Sequence, residues 1–550
     1  MSLAKTITVG DRVIDIPITL MDRFVNWRNP ILGAERYRAR VRMAISGGYT
    51  AADRTRRANQ KGHRREMDAA TAILPDLISL REESQEMYRN NPIAGGAINL
   101  NITKVVGRGL TVKSQVDREV LKLDDLGADA WERAAEREFA LATETREIDA
   151  ERALTFSLLQ AMAFLKVLED GDVLVNLPRF PRPGSPYKLK LQLIEAARLC
   201  NPQFSADTDK LCGGVAFDGY GAPETYHVLN RHPGNRRTMQ GQGLDWSPLK
   251  AFDTAGHPLA LHLFDKKRPG QPRGVPYLTP VVELIKQLGR YTDAEVMAAV
   301  VTGMLTAVVY SESGTPDFGP APTADNPDGD PTKQDDPTGL ELGYGSVIGL
   351  PDGKRIETVA SNRPNVAFDP FVVAILRQIG MALELPFEVL VKHFTSSYSA
   401  ARGALEEAWD YFLRRRHWLA TTLCQPIYEA VITEAILAGR LPTPGFFADH
   451  GIRKAWLGTI WQGDAPSSLD PVKEIEAAKR RIELRISTRT EERSRLIGGD
   501  WERAVPQMER EDNLLKEKGL LVTVESGQPV PVIDQENDDP DQKDKDNAAA

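Results

Sequence analysis

The sequence predicts an α+β chain that is mostly helical. Helical patterns run over residues 69–106, 131–168, 280–309 and 399–438, with apolar residues at three- and four-residue steps where one face would be buried. Short strand-like runs stand between them: Gly171-Asp172-Val173-Leu174-Val175-Asn176-Leu177, residues 189–194 and residues 225–229. At 550 residues the chain exceeds what one core supports, so several domains or an elongated subunit are expected.

Residues 1–65 read as an N-terminal arm. The first 16 residues lack a charged stretch followed by an apolar core, so a secretion signal is not expected. Arg36, Arg38, Arg40 and Arg42 alternate with Tyr37, Ala39 and Val41, and Arg54, Arg56, Arg57, Lys61, Arg64 and Arg65 follow. That density fits either a solvated or subunit-bridging arm or a set of phosphate contacts. Residues 66–270 form an α+β block. In it Asn91-Pro92 breaks one helical run, and Gly107-Arg108-Gly109 ends the next and turns it into a strand. Residues 178–186 and 233–248 are loops by composition.

Residues 271–310 open on Arg273-Gly274-Val275-Pro276. Pro280 suits a first helical turn, and the helix is predicted to continue to residue 309. Ala299, Gly303 and Ala307 fall at four-residue steps and would form a small-residue stripe, packing against either a neighbouring subunit's helix or this chain's own. Residues 311–366 hold a loop with six prolines and six aspartates over 314–340. A predicted hairpin of 342–350 with 355–359 follows, turning at Pro351-Asp352-Gly353-Lys354.

A helix over 371–383 lies within 367–384. Residues 385–396 connect it to the next helix and carry Lys392-His393-Phe394-Thr395-Ser396. Residues 397–463 contain a long helix from 399 to 438, predicted to kink at Pro426. Residues 464–522 hold a linker (464–471) and charged helices over 472–485 and 488–496. Residues 523–550 are a tail. From Ile533 onward it has seven carboxylates against two lysines and few apolar residues, so disorder is expected.

Composition narrows the function classes. A net charge of −8 and a pI near 5.7 argue against a globally basic nucleic-acid binder. Cys200, Cys212 and Cys424 form no CxxC pair, which fits free thiols in a reducing compartment. The longest uncharged apolar run, 296–310, is 15 residues and too short for a membrane span, for which about 20 are needed. No GxxxxGK[ST] loop, HExxH pair or GxSxG elbow occurs, so no catalytic residue, metal or cofactor is expected. Trp409, Tyr411, Phe412 and Trp418 beside Arg414-Arg415-Arg416 read as a buried helix face with a charged outer face.

Two motifs carry a resemblance. Arg89-Asn90-Asn91-Pro92, followed by Val105-Val106-Gly107-Arg108-Gly109-Leu110, resembles the RNNP…VVGxGL signature of lambda-type tailed-phage portal proteins. The order of the later segments is similar too: Arg273-Gly274-Val275-Pro276, a helix, a polar excursion, a second helix, then Ser396-Ser397-Tyr398-Ser399-Ala400-Ala401-Arg402 opening a third. The resemblance covers about residues 30–500. It implies a portal fold with wing (66–270), stem (271–310 and 367–384), clip (311–366), tunnel loop (385–396), wing–crown connection (397–463) and crown (464–522).

The resemblance also implies a homo-oligomeric ring of twelve subunits at a capsid vertex of the virion, assembled in the host cytoplasm by a phage or a prophage. Its partners would be double-stranded DNA without sequence preference, the large terminase subunit, the major capsid or scaffold protein, and head-completion and tail proteins. No membrane and no catalysis are implied. Lys392, His393, Phe394, Thr395 and Ser396 would approach the DNA; the other reading is a helix N-terminal loop capped by Ser397 or Ser399. Two further functions fit the sequence: a nuclease of a mobile element, and another head–tail adaptor ring.

Overall fold

The computed structural model describes residues 3–9, 12–18, eight positions between 24 and 35, and residues 66–236, 244–309, 346–349, 368–393, 398–466, 471–498 and 501–518. The arginine-rich stretch 36–65, the loop 314–340, the turn at residues 351–354 and the acidic tail lie outside them. Two compact units result, residues 1–68 and 69–550. In the first, β1 (Leu3–Val9) pairs antiparallel with β2 (Arg12–Ile18) through seven Cα partners.

The second unit is α+β and mostly helical, as the sequence predicts. It begins with α1 (Ala69–Ile73), α2 (Leu77–Asn90) and α3 (Pro92–Val105). The Asn91-Pro92 break is an N-cap: the Asn91 carboxamide oxygen accepts from Ile93 N at 3.0 Å and Ala94 N at 3.1 Å, and Pro92 takes the first helical position. The chain leaves α3 through Gly107 (φ +57°) and Gly109 (φ +112°), a left-handed exit that favours glycine, and enters β3 (Thr111–Ser114).

The helix predicted over 131–168 is two helices. After the short α4 (Arg118–Leu121) come α5 (Asp125–Thr143) and α6 (Phe156–Asp170), parted by a 3₁₀ turn (Arg146–Ile148). The buried Asp149 carboxylate causes the break, accepting from Glu151, Ala153 and Leu154 N–H at 2.9–3.0 Å. A side chain that binds nearby backbone N–H groups offers them an alternative to helix.

Next come β4 (Asp172–Asn176), β5 (Gln192–Glu195), β6 (Leu211–Cys212), β7 (Val215–Phe217), β8 (Pro223–Leu229), β9 (Trp246–Lys250) and β10 (Ala260–Phe264). They form two antiparallel sheets, β10-β4-β5 and β6-β7-β8-β9. Residues 246–248, predicted as loop, belong to β9. That is an edge strand, where Pro248 needs no ladder partner on its outer side.

Helix α7 (Val282–Met304) is shorter than predicted. The chain switches at Leu305 into β11 (Leu305–Val309), which pairs in parallel with β12 (Ser346–Gly349). The run Leu305-Thr306-Ala307-Val308-Val309 is rich in β-branched residues, and pairing overrides the helical continuation. Ala299 and Gly303 are therefore helical while Ala307 sits in a strand opposite Val347, so the three do not share a helix face. The first arm of the predicted hairpin thus pairs with β11, and its second arm, 355–359, lies outside the described residues.

Four more helices follow: α8 (Phe368–Ala382), α9 (Phe387–Val391), α10 (Tyr398–Leu419) and α11 (Gln425–Leu437). The last two join through a π-turn (Ala420–Cys424), in which Gln425 N–H reaches the Ala420 carbonyl. The π-turn stands immediately before Pro426, where the sequence predicts a kink.

α12 (His450–Trp456) and β13 (Thr459–Gln462) come next, and β13 pairs antiparallel with β3 across 345 or more residues of sequence. The end of the described chain is α13 (Pro471–Glu483), α14 (Arg489–Leu496), which starts on a Thr488/Glu491 capping box, and α15 (Trp501–Glu517).

One large core binds α2, α3, α5, α6, α8, α10 and α11. Phe139 is central to it, packing against Phe156, Tyr428 and Trp461 with ring centroids 5.4–5.9 Å apart. A smaller core under the β6–β9 sheet includes Leu174, Val215, Tyr226 and Val228.

Candidate functional site

The segment between α8 and α10 is only partly a loop. Leu385 and Val389 are buried in the main core with Leu376, Ile379 and Leu383, and residues 387–391 are helical. That apolar spacing makes the first half of the segment an anchor. Exposure begins at Val391 and continues through Lys392 and His393. Phe394, Thr395 and Ser396 lie outside the described residues, as does Ser397. Ser399 is inside α10, so it is not the cap of that helix.

The root of the segment is built closely. Leu385 N–H donates to the Gly380 carbonyl at 2.9 Å, and a Cβ on Gly380 would come within 2.5 Å of the Leu385 carbonyl oxygen. The Tyr277 hydroxyl donates to the Leu383 carbonyl at 2.5 Å, and Asn101 Nδ2 lies 3.4 Å from that hydroxyl. Burial holds the Tyr277 phenol well above its ordinary pKa, so it remains a donor. Glu384 (φ +56°) and Lys392 (φ +57°) bracket the anchor in left-handed conformations, and Glu384 pairs with Arg414 of α10. Lys392 is thus the C-cap of α9 with its ammonium in solvent.

At the head of β4 is a buried ionic junction that sequence reading missed. Asp172, at the head of β4, accepts from Arg81 Nη2 (3.1 Å), Arg273 Nη2 (3.1 Å) and Nε (2.5 Å), His262 Nε2 (3.1 Å) and Gly274 N (3.2 Å). Arg273 also donates to the carbonyls of Ala196, Leu199 and Gly213 at 2.7–2.8 Å. Burial disfavours ionised Asp172, yet Arg273 and Arg81 outweigh it and hold its pKa well below the usual carboxylate range. Burial likewise lowers Arg81 to about 10 and pushes His262 down, leaving the imidazole neutral.

With five donors on two oxygens, the Asp172 carboxylate has no lone pair for a reactant; it serves as a joint. Arg273 and Gly274 open the segment leading to α7, and a Cβ on Gly274 would overlap the Gly171 carbonyl. One signal was readable: a charged residue after Gly171 at the start of an otherwise apolar strand requires a buried partner.

The glycine motif after α3 has a comparable role. Asp464 accepts from Arg108 N at 3.0 Å and Arg108 Nε at 2.9 Å, and a Cβ on Gly107 would collide with that carboxylate. Arg416 donates to the Lys104 and Val105 carbonyls at 2.9 and 3.1 Å, capping the C-terminus of α3. The predicted linker 464–471 therefore begins at a fixed clamp. Tyr411 and Phe412 are buried and Trp409 and Trp418 half-buried, as the predicted buried face requires, but of the three arginines only Arg414 is exposed, and Arg416 is buried where a charged outer face was expected.

Compared with known proteins, residues 55–416 match the family described as phage portal protein, lambda family. The chain belongs to that family. The portal protein of Escherichia phage N15 is 25% identical over 471 residues, covering 82% of this chain and 87% of that protein. Portal protein B of Escherichia phage lambda is 25% identical over 472 residues, covering 82% and 86%.

Among solved structures, the neck of a native gene transfer agent particle computed with C12 symmetry covers 76% of this chain and 92% of its own at 13% identity, with a TM-score of 0.34. The neck of an empty particle computed with C6 symmetry gives 14% identity, the same coverages and a TM-score of 0.36. Those overlaps are too small to argue from. Family membership makes this chain a structural component of a phage head, a portal vertex protein and not an enzyme.

Proposed function

We propose that this chain assembles into a ring of twelve, of roughly 730 kDa, through which double-stranded DNA enters and leaves a capsid. The carrying observation is the family match over residues 55–416, which runs from within the arginine-rich stretch to the last turn of α10. In this reading residues 66–270 are wing, α7 and α8 stem, 311–366 clip, 385–396 tunnel loop and 464–522 crown. The large terminase docks during packaging, the major capsid or scaffold protein surrounds the ring, and head-completion proteins follow.

Physical features support the loop's role. Its root is fixed by core packing and by the Tyr277 tether, while Lys392 and His393 stand exposed at its far end. An exposed cation per subunit gives weak, sequence-independent phosphate contact, which suits passage more than gripping. The chain's acidic balance also keeps phosphate mobile. Lys392→Ala and Lys392→Glu should form intact rings by native mass spectrometry yet alter packaged genome length or phage yield. Wild-type packaging by both would remove the loop's DNA role, and a chain that stays monomeric beside its capsid protein would remove the ring.

A further inference from the structure

β13 is an open sheet edge. Gln115 N–H donates to the Gly458 carbonyl at 2.9 Å, and the register continues as Thr459↔Ser114, Ile460↔Lys113, Trp461↔Val112 and Gln462↔Thr111. Antiparallel alternation then directs the N–H and C=O groups of Thr459 and Trp461 away from β3. The opposite edge is closed by side chains: Ser114 N–H donates to Glu136 Oε1 at 3.0 Å and Val116 N–H to Glu132 Oε1 at 2.9 Å. Among the described residues, no group accepts from Thr459 or Trp461 N–H. Unpaired backbone groups beside apolar surface invite an added strand.

Two cavities of about 1530 and 870 Å³ adjoin this strand and share Leu413, Arg416, Ile460 and Trp461. Leu405 and Trp409 of α10 extend the apolar wall. Ile460 is 46% exposed and Leu413 42%. Apolar side chains left open along a free strand edge are the features of a groove for an extended peptide, with backbone bonds for affinity and apolar pockets for alternate side chains.

The sequence supplies a fitting occupant. After α15 it reads Gly519-Leu520-Leu521-Val522-Thr523-Val524-Glu525, five apolar or β-branched residues in a row. α15 starts at the larger cavity, where Glu502 pairs with Lys113 at 3.6 Å. Its 17 residues carry the chain roughly 22 Å along the helix axis from Glu502. Three further residues span only about 10 Å. The last turn of α15 thus lies well away from Glu502, where the helix meets the groove.

We propose that residues 520–524 of one copy add as a strand to the β13 edge of an adjacent copy, linking neighbours around the ring. The inference rests on the ring reading above for the presence of a neighbour.

The test uses the full-length chain with one cysteine on β13 (Ile460→Cys or Gln462→Cys) and one in the segment (Leu521→Cys or Thr523→Cys), oxidised and run on non-reducing gels. A ladder of disulfide-linked chains is expected in at least one pairing. It should be suppressed by excess synthetic peptide of residues 519–526. It should also be lost with Val522→Pro, which removes a ladder N–H, and kept with Val522→Ala. Cross-links confined to single chains, or none in any pairing, would overturn the proposal. Mass photometry of the same samples reports ring formation separately, so intact rings without a ladder condemn the strand addition and leave the ring reading standing.

Discussion

Asp172→Asn isolates the electrostatics of the joint between β4 and the segment leading to α7, because it preserves size and shape and removes one charge. Asp172 is 0% exposed and faces two guanidiniums, and Arg273 reaches both of its oxygens. Breaking a buried ion pair from one side costs about 3–5 kcal/mol, since the remaining charge stays buried. The Asn carboxamide keeps one acceptor oxygen but turns an N–H₂ toward Arg81 or Arg273, so a loss of about 3 kcal/mol is expected. At domain scale each kcal/mol shifts Tm by about 2–4 °C, giving a fall of roughly 6–12 °C. Calorimetry of the purified full-length chain near neutral pH measures it. Asp172→Ala, which adds a cavity, should fall further. An Asn variant melting within about 2 °C of wild type would refute the idea that this carboxylate holds the joint together.

Four other outcomes follow. His262 is neutral in the fold because burial depresses its pKa below the unfolded value of about 6.5, so its contribution is full above that value and drains as pH falls below it; Tm should drop as the solution is acidified through and below that value, less steeply in His262→Gln, and equal slopes would reject the assignment. Gly274→Ala forces a Cβ against the Gly171 carbonyl and should cost about 1–3 kcal/mol in a thermal melt, whereas an unchanged melt would mean the two backbones are not in contact. Tyr277→Phe strands the Leu383 carbonyl, costing about 1–3 kcal/mol, and hydrogen exchange at residues 385–393 should accelerate; unchanged protection would show that the tether does not hold the loop. Deleting residues 533–550 should leave Tm within about 2 °C, since that stretch lacks apolar residues to offset ordering, and a larger fall would mean it packs.

The sequence showed its punctuation well and its long-range partnerships poorly. Asn91-Pro92, Gly107 with Gly109, and Pro426 each act through their own backbone, so a local pattern was enough to place a cap, an exit and a helix irregularity. Asp149 split a helical pattern through side-chain bonds to residues two to five positions ahead, which periodicity does not register. The switch at Leu305 depends on a partner strand 40 or more residues away, and β13 on one nearly 350 away. The junction was least legible. Arg81, Asp172, His262 and Arg273 are scattered over 193 positions, and only folding brings them to one carboxylate. The buried first half of the segment after α8 is not legible either, because Leu385 and Val389 are core only once α8 and α10 supply the apolar surface around them.

The π-turn at Ala420–Cys424 makes the long helix a counted object. One extra residue in a turn rotates everything beyond it by about 100° relative to a regular helix. Tyr411 and Phe412 before it, and Ile427, Tyr428, Val431 and Ile432 after it, all reach the core with that offset in place. Forcing the same residues into a regular helix would swing the second set off its packing surface, whereas deleting one residue between Leu419 and Gln425 would leave it in place. What this stretch encodes is a phase, carried by the number of residues as much as by their kind.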